Sequence, residues 1–339
     1  MDLKYFSRVL KGATFKKASE VVNDVHKRTK KARVFIVLDI LWCFARYGAG
    51  YKDYSIFEFY NMKHAERATY MTRMKNSKLI TMLNDEKYSY IFDKKNVFDE
   101  RFKKFLGRGV LDLANADEAA VAEFVKDKDA VFAKPYSGES GKGIEKLNIS
   151  DFKSSAELYA YLKDPEKNLG LIEEPIVQHE AASKIYPCAI NCFRIVTLVW
   201  KGVPYIIYAC FKMGNGGRYI DNLDNGGVAC HFDLDRGEIT GRGHTQHLVC
   251  YDEHPYTGVK LVGYKLPYMD EIKSLVLAAA MVVPEIKYVG WDVCLTPNGP
   301  AIVEGNDFPG YDFPQLPDPD KPRIGLIGKI KKLIPDFKL

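Results

Sequence analysis

The stretch GWDVCLTPNGPAIVEGND, residues 290–307, constrains the fold of this chain more than any other. Apolar residues on both sides of a Pro-Asn-Gly turn signal predict two antiparallel strands, yet those strands carry Asp292, Glu304 and Asn306. Pro297 suits the fixed φ of a type I turn, and Gly299 suits the positive φ that closes a three-residue hairpin loop. With residues 297–299 as the loop, Thr296 faces Pro300, and counting outward places Asp292 opposite Glu304. Asn306 lies two residues further on and so shares their face. Opposed carboxylates repel, which is tolerable with a cation between them or with one proton retained. An all-oxygen set suits magnesium or manganese, and magnesium usually shares its shell with phosphates. The alternative is an exposed hairpin face whose acids are solvated. Val293, Leu295, Ile302 and Val303 read as a buried strand pair and favour the metal.

A hairpin of this kind must join a larger sheet, and the preceding sequence supplies one. From about residue 190, CFRIVTLVW, VPYIIYACFKM and GGVACHFDL read as strands, followed by the helix MDEIKSLVLAAAMVV. Between about 90 and 190 strands and helices alternate. DAVFAKPY is a strand, SGESGKG a flexible loop, IEKLNI a strand, SSAELYAYLK a helix and NLGLIEEPIV a strand. Asn96 is expected to cap a short helix here, with Glu100 in its first turns. Residues 1 to about 90 read as helices, with apolar positions at helical spacing through ARVFIVLDILWCFARYG. The tail PQLPDPDKPRIG is Pro-rich and expected to be extended.

Composition narrows the function classes. A chain of 339 residues, 47% hydrophobic, is long enough for two or three domains with a sizeable core. The apolar run from Val34 to Ala45 is broken by Asp39 and is too short to span a bilayer, and the start reads polar, so a cytoplasmic protein is expected. Seven scattered cysteines without zinc-type spacing are expected to be reduced core residues. Lys27, Arg28, Lys30, Lys31 and Arg33 near the start, with Lys329, Lys331 and Lys332 near the end, are a solvated helix face or a contact for an anionic membrane. No zinc finger, helix-turn-helix or RNA-binding aromatic motif accompanies the charge, so nucleic acid is not expected as a partner.

Lys134 ends a strand immediately before the Gly/Ser loop 137–143, an arrangement in which a cation and backbone N–H groups hold phosphates; a plain flexible hairpin is the alternative. It is not a P-loop, since the lysine precedes the glycines. The strand LIEEPIV leads to Glu180, a candidate acceptor for ribose hydroxyls. Arg194 and Lys212 stand on adjacent apolar strands, where a lone charge is costly, so each needs an anion: a ligand, or for Arg194 a structural carboxylate. Glycines 214, 216, 217, 226 and 227 frame a loop that can approach a substrate closely.

In this order DKKNVFDERF, VFAKPYSGESGKGI, LIEEPIV, NCFRIVT, FKMGNGGRYIDNLDNGG and GWDVCLTPNGPAIVEGN resemble the ATP-grasp superfamily over about residues 90–315. Within it the chain looks most like the sugar-transfer-associated ATP-grasp proteins, which share a stretch similar to DYSIFEFYNMKHAERATY. The resemblance implies an α+β ATP-grasp fold, two subdomains clamping ATP, with an N-terminal helical region. The expected divisions are 1–90 helical, 91–175 with the lysine and glycine-rich loop, 176–315 with the metal hairpin, and a 316–339 tail. It implies that Lys94 and Lys134 contact ATP, and that the loop with Ser137, Gly138, Ser140, Gly141 and Gly143 closes over the phosphates. Glu173, Glu174 and Ile176 would line the adenine hinge, with Glu180 near the ribose. Arg194 and Lys212, with Asn225 beside them, would stabilise the transferring phosphoryl group, and Asp292, Glu304 and Asn306 would hold Mg2+ or Mn2+. Lys95 follows Lys94 directly and competes for the first of these roles.

The implied activity is an ATP-dependent carboxylate–amine ligase forming an acyl-phosphate in cell-surface polysaccharide or sugar-conjugate biosynthesis, for example joining an amino acid to a uronic acid. Its partners would be a small or sugar-linked carboxylate and an amine. A kinase-like phosphotransferase and a non-enzymatic nucleotide-binding component of a glycan assembly system are the alternatives, the intact metal trio arguing against the second.

Overall fold

The structure, a computed structural model, describes residues 15–137, 143–218, 221, 223–246, 249–318 and 322–336. The chain divides into two compact units, one made of the residues up to Met82 together with those from Gly310, the other of Leu83–Pro309.

The first unit is helical. Helices Phe15–Thr29, Arg33–Tyr47, Tyr51–Ile56, His64–Ala68 and Arg73–Leu83 are joined by Leu326–Leu333 from the far end of the chain. Gly48 ends the second of these at φ 67°, a conformation open to glycine without strain, and its N–H returns to the Phe44 carbonyl. The core is aromatic, with Tyr47, Tyr54, Phe57, Phe59, Tyr60 and Tyr70 packed together. Gln315 ties the C-terminal segment in by accepting from Met71 N at 2.8 Å and donating to Met71 O at 2.9 Å, both buried. Helix Leu326–Leu333 directly follows the stretch expected to be extended, residues 314–325, whose described residues beyond Gln315 form neither helix nor strand. Leu326 and Ile330, four residues apart, bury one side of this helix, a short apolar repeat masked in the sequence by Gly325, Gly328 and the prolines ahead of them.

The second unit holds two antiparallel sheets. The smaller contains β1 (Val110–Asp112), β2 (Ala130–Lys134), β3 (Glu145–Asn148) and β4 (Leu171–Glu173) in the order β1-β4-β2-β3. Helices Glu118–Val125 and Ser155–Leu162 pack on it. Asp117 and Ser154 start them by accepting from Ala120 N and Glu157 N. The larger sheet contains β5 (Cys192–Trp200), β6 (Val203–Met213), β7 (Val228–Asp233), β8 (Glu238–Ile239), β9 (Gly243–His244), β10 (Cys250–Tyr251), β11 (Tyr288–Thr296) and β12 (Gly299–Asn306). Its order is β10-β9-β7-β6-β5-β11-β12, with β8 on β7.

Lys201 and Gly202 join β5 to β6 with both φ positive, the twist a two-residue hairpin needs. Strands β5 and β11 are buried on both faces, which explains their continuous apolar sequences. Trp291 of β11 is fully buried against Phe92 and Phe102 and donates to Thr197 Oγ1 at 2.8 Å. Opposite it, Gly305 leaves no room for a side chain, since a Cβ there would lie 2.8 Å from the Phe98 ring.

Three local expectations differ. Lys94, not Asn96, precedes helix Lys95–Phe102; Asn96 lies inside it and donates to Asp112 at 3.2 Å. The strand expected over 168–177 is ordered as β4 only to Glu173, because Pro175 has no N–H to continue the ladder. Five cysteines are buried, but Cys188 and Cys250 are exposed.

Candidate active site

Two departures from the expected hairpin register cancel. The β11–β12 loop has two residues, not three, so Thr296 pairs with Gly299 rather than Pro300. A bulge then accommodates Val303 as an extra residue between the Val293–Ile302 and Asp292–Glu304 pairs. Asp292 therefore does face Glu304, and Asn306 faces Gly290 with its amide 3.4 Å from Glu304 Oε1. The bulge also turns two carbonyls toward Arg108, which donates to Ile302 O at 2.9 Å and Val303 O at 3.3 Å.

The charge on Asp292 is met from the neighbouring strands. Arg194, its cross-strand partner on β5, donates Nε and Nη2 to the two carboxylate oxygens at 2.5 and 2.9 Å. Lys212, one strand further on β6, reaches the same carboxylate at 2.9 Å. Burial alone would raise the pKa of Asp292, but Arg194 and Lys212 outweigh it and hold the group well below the usual carboxylate range. The repulsion expected between the opposed acids is thus answered by protein cations. Lys212 also lies 3.5 Å from Asp221, whose pKa is raised by burial, with Asp292 adding to the rise and Lys212 opposing it. Asp221 was not anticipated; its signal was an acid within the glycine-framed loop after β6. Glu304 keeps an exposed carboxylate although protein surrounds much of it, and that enclosure, then the charge of Asp292, raises its pKa.

Across from this cluster, the small sheet contributes a second one. Lys134 at the end of β2 donates to Glu173 on β4 at 2.6 Å, and Arg108 donates Nε to the same oxygen at 2.8 Å. Glu173 is buried, yet Arg108 and then Lys134 overcome the burial and lower its pKa. Arg108 therefore links Glu173 to the hairpin bulge, a role invisible in the sequence GRGVLD. Lys95 belongs to this group: burial, then Lys134, lowers its pKa, while Glu304, Glu173 and Asp99 act to raise it. Asp99 is buried, and burial followed by Glu173 pushes its pKa up to about 7.

The sugar-transfer associated ATP-grasp family matches residues 74–321, close to three quarters of the chain and all of both sheets. The chain belongs to that family. As a sugar-transfer associated ATP-grasp protein it has the α+β ATP-grasp fold with an N-terminal helical region. No curated protein matches the sequence. Similar solved structures include the ATP-grasp ligase PsnB complexed with a minimal precursor, at 14% identity over 80% of this chain and 71% of that one, TM-score 0.43. A D-alanine-D-alanine ligase from Coxiella burnetii is 11% identical over 65% of this chain and 49% of its own, TM-score 0.38. An L-amino acid ligase from Bacillus licheniformis is 11% identical over 65% and 42%, TM-score 0.37. The chain spans less than two thirds of the last two.

The remaining residues expected at the site of this ATP-grasp chain fall as follows. Lys94 is exposed and precedes the helix, whereas Lys95, its first residue, is half-buried in the Lys134 cluster. Glu174 is engaged by Gly109 N at 2.7 Å and Lys128 at 3.0 Å. Ile176 packs with Ile190 and Val303 on Cys192, Cys294 and Ala301, an apolar patch joining the segment after β4 to the hairpin. Glu180 opens a short helix, largely exposed and 3.8 Å from Lys184, beside a cavity of about 630 Å³ lined also by Gln178, His179 and Pro297. Asn225 accepts from Arg218 through its carbonyl. Ser137 and Gly143 are exposed at the ends of the Gly/Ser loop, and Gly138, Ser140 and Gly141 lie outside the described residues.

Among the described residues no three His, Cys, Asp or Glu side chains form a metal group. The hairpin offers two carboxylates and an amide, an oxygen set that suits a hard cation; Glu304, whose charge is the less compensated, and Asn306 are the accessible members.

Proposed function

We propose that this chain is an ATP- and magnesium-dependent carboxylate–amine ligase acting through an acyl-phosphate. The observation carrying this reading is the buried Asp292 held by Arg194 and Lys212 with Glu304 directly opposite. Two cations and a residual acid on one sheet face provide the charge neutralisation that phosphoryl transfer requires, with little covalent work for the protein.

In this reading Lys134 and Lys95, which replaces Lys94, bind the nucleotide phosphates, and the 137–143 loop closes over them. The apolar patch around Ile176 receives the adenine, with Glu174 at its edge and Glu180 toward the ribose. Glu304 and Asn306 would hold magnesium, with an oxygen of Asp292, and the ion would supply neutralisation of phosphate charge. Arg194 and Lys212, with Asn225 nearby, steady the γ-phosphoryl group as a substrate carboxylate oxygen attacks it and ADP leaves. An amine then attacks the acyl carbon and phosphate departs. The segments 91–175 and 176–315 form the two halves of the clamp, with 1–90 and 316–339 outside it. The family's association with sugar transfer supports a sugar-linked carboxylate, such as a uronic acid, within cell-surface polysaccharide or sugar-conjugate biosynthesis.

The deciding experiment measures ADP release with magnesium against a panel of carboxylate and amine pairs, and traps the intermediate with hydroxylamine. A ligase needs both substrates and yields a hydroxamate. ADP release that follows a hydroxyl acceptor, needs no carboxylate and leaves a phosphate ester would make the chain a phosphotransferase instead.

A further inference from the structure

Helix Arg33–Tyr47 carries apolar residues on nearly every side, with Asp39 its one charge between the two ends, but is buried on one side only. Ile36, Cys43 and Tyr47 face the aromatic core of the helical unit. On the opposite side Val34, Phe35, Leu38, Leu41, Trp42 and Phe44 are each between 41% and 67% exposed. At about 100° per residue these positions fill roughly half the helix circumference, a continuous patch where soluble helices carry polar residues. Isolated exposed apolar residues are ordinary, whereas a patch of this kind is covered by something.

The charges around it select the cover. Residues 15–47 hold eight Lys and Arg against three acids. Two of those acids are engaged within the unit, Asp39 by Arg67 at 2.7 and 2.8 Å and Asp24 by Arg28 at 2.8 Å. Lys27 and Lys30 precede the helix, and Arg33 and Arg46 stand at its two ends, all exposed. A second copy packed antiparallel on this face would bring Arg33 against the other Arg46, like against like. Residues 1–14 are themselves basic, with Lys4, Arg8 and Lys11 against Asp2, and would meet the same repulsion. A surface combining negative charge with an apolar interior complements both features. A span is excluded, since the helix has 15 residues and none among those described is long and apolar enough to cross a membrane.

We propose that the Arg33–Tyr47 helix lies flat in the surface of an anionic lipid membrane, with Leu38, Leu41 and Trp42 entering the acyl boundary and Lys27, Lys30, Arg33 and Arg46 at the headgroups. This stands independently of the chemistry proposed above. The test is co-sedimentation of the full chain with phosphatidylcholine vesicles with and without about 30% phosphatidylserine. Binding to acidic vesicles should be at least about tenfold stronger and should weaken as salt is raised. The double variant Leu38→Ser, Trp42→Ser should lose binding at unchanged Tm, because both side chains are exposed. Lys27→Gln with Lys30→Gln and Arg46→Gln should lose the acidic preference. Two results would overturn the proposal. One is a dimer that the Leu38→Ser, Trp42→Ser variant dissociates, which assigns the face to a second copy. The other is a monomer that ignores acidic vesicles at low salt, which assigns the cover to the chain itself.

Discussion

Arg194 and Asp292 face each other across β5 and β11 and form a two-pronged ion pair at 2.5 and 2.9 Å, with Lys212 closing on the same carboxylate from β6. The pair is structural in its geometry, and in the proposed reaction its arginine also serves the phosphoryl group. Arg194→Lys separates the two roles, since it keeps the charge and loses the fork. Tm should fall by a few degrees, about 1–2 kcal/mol of stability in a chain of this size. The single-turnover rate of the folded protein should fall by at least about tenfold, with ATP affinity nearly unchanged. Normal single-turnover chemistry in the folded fraction would leave Arg194 a purely structural residue.

The opposed acids of the hairpin should respond differently to neutralisation. Asp292→Asn leaves Arg194 without its main counter-charge and Lys212 with Asp221 alone, a cost of about 3–5 kcal/mol that thermal melting will register. Glu304→Gln removes a like charge facing Asp292 and should leave Tm unchanged or slightly higher. It should nonetheless raise the magnesium concentration needed for half-maximal turnover by about tenfold or more, as expected when a ligand oxygen loses its charge. Equal magnesium dependence in Glu304→Gln and wild type would remove Glu304 from the metal site.

Arg108 and Lys134 share one oxygen of Glu173, and each can be removed alone. Arg108→Met also frees the carbonyls of the hairpin bulge and should cost about 3 kcal/mol or more. Lys134→Ala leaves the Arg108–Glu173 pair in place, so the loss in Tm should be smaller, while calorimetry should show ATP affinity reduced by about tenfold through loss of a point charge. Unchanged nucleotide affinity in Lys134→Ala would exclude this lysine from the phosphate site.

Asp99 gives a pH signature. Its folded pKa of about 7 lies above the value of about 4 for an unfolded aspartate, so the folded state binds the proton more tightly. The associated stability is complete below about pH 4 and is lost as pH rises through about 7. Asp99→Asn should remove that dependence, giving a flatter Tm profile between pH 5 and 8, by about 1 kcal/mol or more, and a higher Tm than wild type at the alkaline end. Parallel profiles for the two proteins across that window would show that Asp99 does not titrate there.

Local physics made much of this chain legible. Strands β5 and β6 follow the bounds of their apolar runs, CFRIVTLVW and VPYIIYACFKM, because burial on both faces, along most of β5 and over the second half of β6, favours apolar sequence on both sides of the strand. The facing of Asp292 and Glu304 was also readable, although by way of a turn one residue too long and a bulge that restored the count. What the sequence left open depended on strand order and on contacts distant in the chain. Arg194 and Lys212 reach Asp292 because β6, β5 and β11 are neighbours, and residues 80 or more apart become partners by that pairing alone. Arg108 meets the hairpin through a bulge that no turn rule predicts, and Lys95 rather than Lys94 interacts with Lys134, in a helix that begins two residues ahead of where an Asn96 cap would start it. The periodicity of ARVFIVLDILWCFARYG likewise established a helix, but a surface apolar on nearly every side does not reveal which side will be buried. Only packing against Tyr54, Phe59 and their neighbours decided that, leaving the other side exposed for want of a second layer among the described residues.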